Sequence, residues 1–252
     1  EKLTMLLATD VLFVSDSLAA EAIKLNLAPL KKSWLIGEGS SNGVSAELVS
    51  QVVSNVNTTT LRESLGIEPS QFVVGFIGRI TADKGVDLLI DAVDSALINE
   101  QVRILFVGGV EDEKLSARVD ALGSKAIMVS WTSEPWKYLS VMDVLCLPSL
   151  REGFPNVVLE AASAGIPSIV TSATGAKDSV IDGVTGRILS NRDSKELTQI
   201  INELNSDYEK RRKLGENAQK RAVEAYKPET IWNGLLEIIE GTGNEKFARR
   251  VK

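Results

Sequence analysis

The sequence lacks histidine altogether and has a single cysteine, Cys146, among its 252 residues. The absence of histidine excludes the commonest general base and the commonest metal ligand from any mechanism. A lone cysteine can form neither an intrachain disulfide nor a cysteine metal site, and the apolar run 144–147 around it predicts a small buried side chain. Any catalytic chemistry must therefore use other groups.

Long apolar runs and an excess of positive charge are also missing. The longest apolar runs, such as 73–77 and 144–147, have the length of strands, whereas a membrane-spanning helix needs about 20 residues. The 28 Lys and Arg residues are outnumbered by 34 Asp and Glu residues, for a net charge of −6. Because no basic stripe runs through the sequence, we expect no nucleic-acid partner, and an anionic ligand must be held by a local site.

Short apolar runs alternate with helix-length segments along most of the sequence. Eight runs are predicted to be buried strands, at residues 11–15, 34–36, 72–78, 102–107, 126–129, 144–147, 168–171 and 187–189. This alternation predicts an α/β fold with a parallel, doubly wound sheet from about residue 70 to residue 190, with helices on both faces. Residues 194–241 show helical periodicity only.

A break rich in Gly, Ser, Asn and Thr, at residues 38–71, divides the sequence. Residues 1–45 are predicted to be the last strand, helix and strand of a truncated preceding domain, with its linker. Residues 46–241 are predicted to be the main α/β domain, and residues 242–252 a basic tail. The sequence begins with neither Met nor a signal peptide, so we expect it to be cut from a longer protein.

Three interpretations of the basic tail remain open. It could contact anionic lipid, stay solvated, or cross back to the preceding domain, and the last two are favoured. Its basic and apolar residues are Lys246, Phe247, Arg249, Arg250, Val251 and Lys252.

The first candidate site follows the predicted strand 72–78. Gly78 and Arg79 stand at the strand tip, and Lys84 stands at the start of the next predicted helix. Ligands of open parallel sheets bind beyond the carboxyl ends of the strands, so both cations and the helix amino end face one place. This arrangement is typical of a diphosphate site. The alternative is an ordinary solvent-exposed Arg and Lys.

A second candidate site follows the predicted strand 144–147. Asn156 is expected to cap the next helix, and Gly153 to let a ligand approach the backbone. The free amides from Phe154 to Val157 are expected to form an anion site.

Two carboxylates belong to this second site. Glu152 lies in the loop, whereas Glu160 lies about one turn into an apolar helix, where a carboxylate needs partners. Ribose hydroxyls would provide them. The alternative for Glu160 is a favourable interaction with the helix dipole.

These residues resemble a known family. The stretch from Glu152 to Glu160 is similar to the Glu-x7-Glu signature of retaining GT-B glycosyltransferases of the family 4 type. The similarity extends over nearly the whole chain and includes four shorter motifs: Gly78-Arg79, Lys84-Gly85, Asn42-Gly43-Val44 and Asp182-Gly183-Val-Thr-Gly186. It implies a GT-B fold, in which residues 46–241 are the Rossmann-like domain that binds the nucleotide sugar.

The resemblance implies a role for each candidate residue. Arg79 and Lys84, with Gly78 beside them, would hold the donor diphosphate. Glu160 would bind the nucleotide ribose. Glu152 would contact hydroxyls of the donor sugar, and it would form the catalytic set together with the two cations.

Five further residues complete the implied donor site. Backbone amides of Gly153, Phe154, Asn156 and Val157 would cradle the distal phosphate and the sugar. Trp131 lies in the region that usually contacts the base. For its side chain, stacking on the base and packing under the neighbouring loop both remain open.

The implied function is a retaining transfer of sugar from a nucleotide sugar, a UDP-sugar above all, to a glycan or lipid-linked acceptor. Bacterial surface polysaccharide or O-antigen assembly is the implied pathway, in the cytoplasm and with a peripheral contact to the inner face of the membrane. The acceptor site is expected in the preceding domain, so this chain should bind donor without transferring sugar. A non-catalytic nucleotide-binding module, or an epimerase or phosphorylase of the same fold, remains the alternative.

No metal or other cofactor is expected. The sequence has no Asp-x-Asp pair to hold a metal-bridged diphosphate. The acidic residues 111–113 are interpreted as a solvated turn. The retaining reaction is usually described as relying on the leaving phosphate and on positioning more than on a protein base.

Overall fold

A computed structural model of the protein describes residues 2–241 and 246–251. Two parallel strands with their helices come first, as predicted, and two further helices follow. In chain order these elements are α1 (Lys2–Leu7), β1 (Val11–Phe13), α2 (Asp16–Lys24), β2 (Ser33–Ile36), α3 (Ala46–Ser54) and α4 (Thr58–Ser64).

A six-stranded sheet with intervening helices forms the centre of the structure. Its elements are β3 (Phe72–Ile77), α5 (Val86–Asp94), β4 (Val102–Val107), α6 (Glu113–Ala121), β5 (Ala126–Val129), β6 (Val144–Leu147), α7 (Asn156–Ser163), β7 (Ser168–Thr171) and β8 (Gly186–Leu189). The strand order is β5-β4-β3-β6-β7-β8, and every neighbouring pair is parallel. The predicted doubly wound sheet is therefore confirmed.

The remaining elements are α8 (Ser194–Ser206), α9 (Tyr208–Ala225), α10 (Pro228–Glu240) and β9 (Ala248–Arg250). In the central sheet, α5 packs with α6 and α8, whereas α7 packs with α3 and α9. All residues of β6 and β7 are buried, because helices cover both faces of the sheet. This two-sided burial explains why the strands are continuous apolar runs in the sequence.

The predicted break at residues 38–71 is wrong in its middle part, because α3 and α4 lie within it. Val49 of α3 is fully buried, and the Ser50 hydroxyl donates to the carbonyl oxygen of Ser163, at the end of α7, over 2.7 Å. Asn57 caps α4 with its side chain, so an apparent loop residue starts a helix. The Gly, Ser and Thr content of this segment concealed its amphipathic pattern.

The basic tail crosses back to the start of the chain. β9 pairs antiparallel with β2, and α10 packs against both strands. Arg249 forms an ion pair with Asp16 at 2.7 Å, and Arg250 stacks on the ring of Trp34 at 3.9 Å. The strands β1, β2 and β9, in the order β1-β2-β9, thus form a second sheet, the small sheet, and the described residues 246–251 belong to it rather than to a solvated tail. Residues 242–245 and Lys252 lie outside the described part.

The division of the chain at residues 45 and 46 stays a prediction, since α10 and β9 contact the elements that precede it. Within residues 2–241 and 246–251, none of the helices combines the length and the apolar character that crossing a membrane requires.

Candidate functional site

Two glycines let the loops after β3 and β4 run side by side. Gly78 and Gly108 have φ angles of 151° and 150°, and a Cβ atom on Gly108 would lie 2.0 Å from the carbonyl oxygen of Gly78. Beyond them, the Ile80 amide donates to Gly109 (2.8 Å), and the Glu111 amide donates to Ile80 (3.3 Å). The two loops therefore stay paired past the edge of the sheet.

This pairing brings the side chains of Arg79 and Glu111 together. Nη1 of Arg79 lies 2.9 Å from Oε2 of Glu111, and the two side chains are 58% and 51% exposed. The sequence alone indicates a solvated turn at Glu111 and does not reveal this partner. The one available signal was that both residues follow predicted strands, whose carboxyl ends meet at one edge of a parallel sheet.

Lys84 lies in a short 3₁₀ turn before α5, rather than in the helix itself. Gly85 follows with a φ angle of 71°, and a Cβ atom there would lie 1.9 Å from the carbonyl oxygen of Pro148. The Leu150 amide donates to the carbonyl oxygen of Asp83 over 2.9 Å. The backbone of the Lys84 turn is thus fastened to the loop that follows β6.

Glu152 occupies the centre of that second loop. Nζ of Lys84 lies 2.7 Å from Oε1 of Glu152, and the two side chains are 22% and 11% exposed. The hydroxyl of Ser149, which is buried, donates to the same oxygen over 2.7 Å. Within the described residues, Oε2 of Glu152 has no hydrogen-bond donor. This oxygen can accept a hydrogen bond from a ligand hydroxyl.

Glu160 is half-buried in the second turn of α7. Burial raises the pKa of its carboxyl group above the ordinary value, and a hydrogen bond from the Trp136 side chain opposes this rise. A desolvated carboxylate gains from additional hydroxyl donors, since they favour its charged form. Trp136 is a neighbour that the sequence analysis missed.

The amino end of α7 differs from the predicted cap. Pro155 is the N-cap residue, and Asn156 is the first helical residue, with a buried Oδ1 that has no hydrogen-bond partner in the described part of the chain. Proline suits this junction because it lacks an amide hydrogen that would need a partner. Among the described residues, the amides of Gly153, Phe154, Asn156 and Val157 donate to no acceptor. Unpaired amides at a helix amino end are the expected components of an anion site.

Residues 57–221 match the sequence model of the family described as glycosyl transferases group 1. This chain belongs to that family. The match spans both candidate loops and the whole central sheet, and it confirms the resemblance on which the family was predicted.

Relatives of the group 1 chain include the capsular polysaccharide biosynthesis glycosyltransferase CapM of Staphylococcus aureus. It is 33% identical over 240 residues, which cover 93% of this chain and 62% of CapM. The D-inositol 3-phosphate glycosyltransferase of Corynebacterium urealyticum is 30% identical over 195 residues, which cover 72% of this chain and 46% of that protein.

The crystal structure of HepE from Anabaena in complex with UDP superposes with a TM-score of 0.84 at 26% identity. The superposition covers 95% of this chain and 65% of HepE, and it confirms the GT-B fold. The group 1 chain spans less than two thirds of each of these three proteins.

Two aromatic residues of the group 1 domain, residues 57–221, take different positions. The Trp131 side chain is 78% exposed, so it does not pack under the neighbouring loop, and Trp136 packs against the core in its place. Phe154 is buried, and its ring lies 5.5 Å from that of Tyr226. Only the backbone of Phe154 is thus available to a ligand.

The small sheet contacts the group 1 domain beside Glu152. The Ser17 hydroxyl, at the start of α2, accepts a hydrogen bond from the Gly175 amide over 2.8 Å and donates one to Asp178. Gly175 has a φ angle of 77°, and a Cβ atom there would lie 2.4 Å from the carbonyl oxygen of Glu152 and 2.3 Å from that of Gly153. The Glu152 loop thus packs against the turn at Gly175, and Ser17 is hydrogen-bonded to that turn. No pattern in the sequence indicates this contact.

A cleft of about 490 Å³ opens between α2 and the Glu152 loop. It is lined by Leu18, Glu21, Asp83, Arg151, Glu152, Gly153 and Thr174. Both the small sheet and the group 1 domain contribute to it. In the part of the chain that the structure describes, no cluster of three or more His, Cys, Asp or Glu residues could hold a metal ion.

Proposed function

We propose that this chain is the donor-binding part of a retaining glycosyltransferase that uses a nucleotide sugar. The observation that carries the proposal is that Arg79, Lys84 and the unpaired amino-end amides of α7 all lie in the loops that follow two neighbouring parallel strands, β3 and β6. Cations and helix amides together stabilise the oxygens of a diphosphate.

Each carboxylate then has a separate task. The free Oε2 of Glu152 accepts a hydrogen bond from a hydroxyl of the donor sugar. Glu160 accepts hydrogen bonds from the ribose hydroxyls, which compensate for its burial. The exposed indole of Trp131 is available to stack on the base.

Transfer with retention breaks the bond between the anomeric carbon and the diphosphate, and it forms the new glycosidic bond on the same face of the sugar. The acceptor hydroxyl passes its proton to an oxygen of the departing phosphate. Arg79, Lys84 and the α7 amides stabilise the negative charge that develops there. The protein contributes positioning and charge stabilisation, and no histidine is needed.

A UDP-sugar is the proposed donor, supported by the HepE structures, one with UDP and another with UDP-glucose. A glycan or lipid-linked acceptor in surface polysaccharide assembly is the proposed partner, supported by the similarity to CapM. We place this reaction in the cytoplasm, at the inner face of the membrane, and assign it no metal cofactor.

The test begins with binding. UDP, GDP and ADP, with their glucose conjugates, are titrated into the protein with and without EDTA, and Tm is recorded in parallel. The proposal expects saturable binding of a nucleoside diphosphate that EDTA does not weaken, with a rise in Tm. If the protein binds none of these nucleotides, the proposed function is wrong.

Turnover separates an enzyme from a binding module. The chain alone and a longer natural form of the protein are incubated with labelled donor and lipid-linked acceptor. We expect product from the longer form and none from the chain alone, because the chain spans 65% of HepE and we propose that the acceptor binds mainly in the remaining part. Binding without turnover by both forms would favour the non-catalytic module, and full turnover by the chain alone would refute our placement of the acceptor site.

A further inference from the structure

Both cations assigned to the diphosphate have a carboxylate partner in the structure. Lys84 pairs with Glu152, which Ser149 also holds and which has its own proposed task at the sugar. Arg79 pairs with Glu111, for which the reaction offers no task. A diphosphate that binds Arg79 therefore competes with the Glu111 carboxylate for the charge of the guanidinium.

We propose that Glu111 acts as a resident anion that competes with the diphosphate for Arg79, and so sets how tightly the site holds a nucleoside diphosphate. The inference rests on the proposed function, because it requires that Arg79 binds phosphate. In addition to the residues that favour diphosphate binding, the site then contains one residue, Glu111, that opposes it.

The backbone of the two loops keeps Glu111 within reach of Arg79. The Ile80 amide donates to Gly109, and the Glu111 amide donates to Ile80, so the residues that flank the pair are joined by hydrogen bonds. Ile80 and Val110 also form an isolated parallel bridge. These bonds fix the spacing of the two backbones and leave the two side chains free to move.

The exposure of the pair makes it exchangeable. With half or more of each side chain in solvent, the carboxylate can swing away into water at little cost when a phosphate arrives. In the described part of the chain, Glu111 is the one side chain that accepts a hydrogen bond from Arg79, so its removal leaves the guanidinium without such an acceptor. Exposed ion pairs are weak, and their strength corresponds to about a two- to fivefold change in affinity.

Competition by Glu111 also affects the release of the product nucleoside diphosphate. After transfer, the nucleoside diphosphate must leave, and a carboxylate that returns to Arg79 favours its release. Glu111 would thus lower the affinity for product as well as for donor.

Glu111→Gln tests the inference, because it removes the charge and nearly preserves the shape. Titration calorimetry with UDP, GDP and ADP should show about two- to fivefold tighter binding of whichever diphosphate the unchanged protein binds best. The gain should be smaller for the matching monophosphate. A gain in affinity cannot arise from misfolding.

Two control variants make the result specific. Glu113→Gln makes the same charge change two residues away, and Glu113 forms no ion pair within the described residues, so its affinity should stay within error. In an Arg79→Gln background, Glu111→Gln should give no gain, because the competition needs the guanidinium.

The outcomes separate the two proposals. If the unchanged protein binds no nucleoside diphosphate, the proposed function and the inference both fail. If it binds, the inference alone is overturned by an unchanged or weaker affinity of Glu111→Gln, by an equal gain in Glu113→Gln, or by a gain that persists without Arg79.

Discussion

Removing the ammonium group of Lys84 should have a larger effect than removing the guanidinium of Arg79. Lys84 is 22% exposed, and its charge-assisted bonds to a diphosphate would contribute about 1.5 to 3 kcal/mol. Lys84→Ala should therefore weaken nucleoside diphosphate binding by about ten- to a hundredfold and leave nucleoside binding nearly unchanged. Arg79 is 58% exposed and better screened, so Arg79→Ala should cost about fivefold.

Lys84→Ala should also lower stability, because it leaves the Glu152 carboxylate, 11% exposed, with Ser149 as its remaining donor. We expect the free energy of unfolding to fall by about 1 to 3 kcal/mol in urea titrations. Adding Glu152→Gln to Lys84→Ala removes the unpaired charge and should restore most of that stability without restoring diphosphate affinity. Equal losses for nucleoside and diphosphate, or a stability that Glu152→Gln does not restore, would refute the reasoning.

Three further predictions concern the same site. Glu160→Gln should weaken ribonucleotide binding more than 2′-deoxyribonucleotide binding. The same variant should change how stability depends on pH. Because burial raises the pKa of Glu160, the folded protein loses stability as pH rises from the ordinary glutamate value of 4.5 through that raised pKa. The variant should therefore be more stable than the unchanged protein in thermal melts at neutral pH and equally stable below pH 4.5, and equal stability at both would contradict the burial argument. Glu152→Gln should spare UDP binding and reduce discrimination among UDP-sugars, measured by calorimetry; a loss for free UDP as large as that of Glu160→Gln would show that the two roles are wrongly divided. Gly85→Ala should lower Tm and weaken diphosphate binding, since its Cβ would lie 1.9 Å from the Pro148 carbonyl oxygen. Gly123→Ala is the control, because Gly123 has a similar φ angle and no atom within 4 Å of its Cβ position, and it should lower Tm much less. Equal losses of Tm would show that backbone strain at positive φ, and not the contact with Pro148, causes the loss.

The sequence predicted the central sheet closely because buried parallel strands are continuous apolar runs. It predicted the ends of β4, β5, β6 and β7 without error. Partners of polar side chains were harder to foresee. The contact of Lys84 with Glu152 spans 68 residues and depends on the fit of Gly85 against another loop. Local patterns contain no information on such contacts.

Helix caps and amphipathic helices of low hydrophobicity were also difficult to predict from the sequence. Asn156 has the side chain of a common N-cap, yet Pro155 takes that position because its fixed φ angle suits the entry to the helix. α4 begins with three threonines, residues 58–60, which favour strands. All three are exposed, so the side-chain cap of Asn57 and the packing of Leu61 against the core make this segment helical.

The pairing of β9 with β2 affects the order in which the two sheets can form while the chain is being synthesised. Residues 46–225 lie between the two parts of the small sheet, as an insertion would. β2 therefore cannot gain its second neighbour until residues 248–250 have left the ribosome, long after the six strands of the central sheet are available to pair. Until then, the edge of β2 stays open to other strands. The central sheet can therefore form while the small sheet that contacts the Glu152 loop is still incomplete.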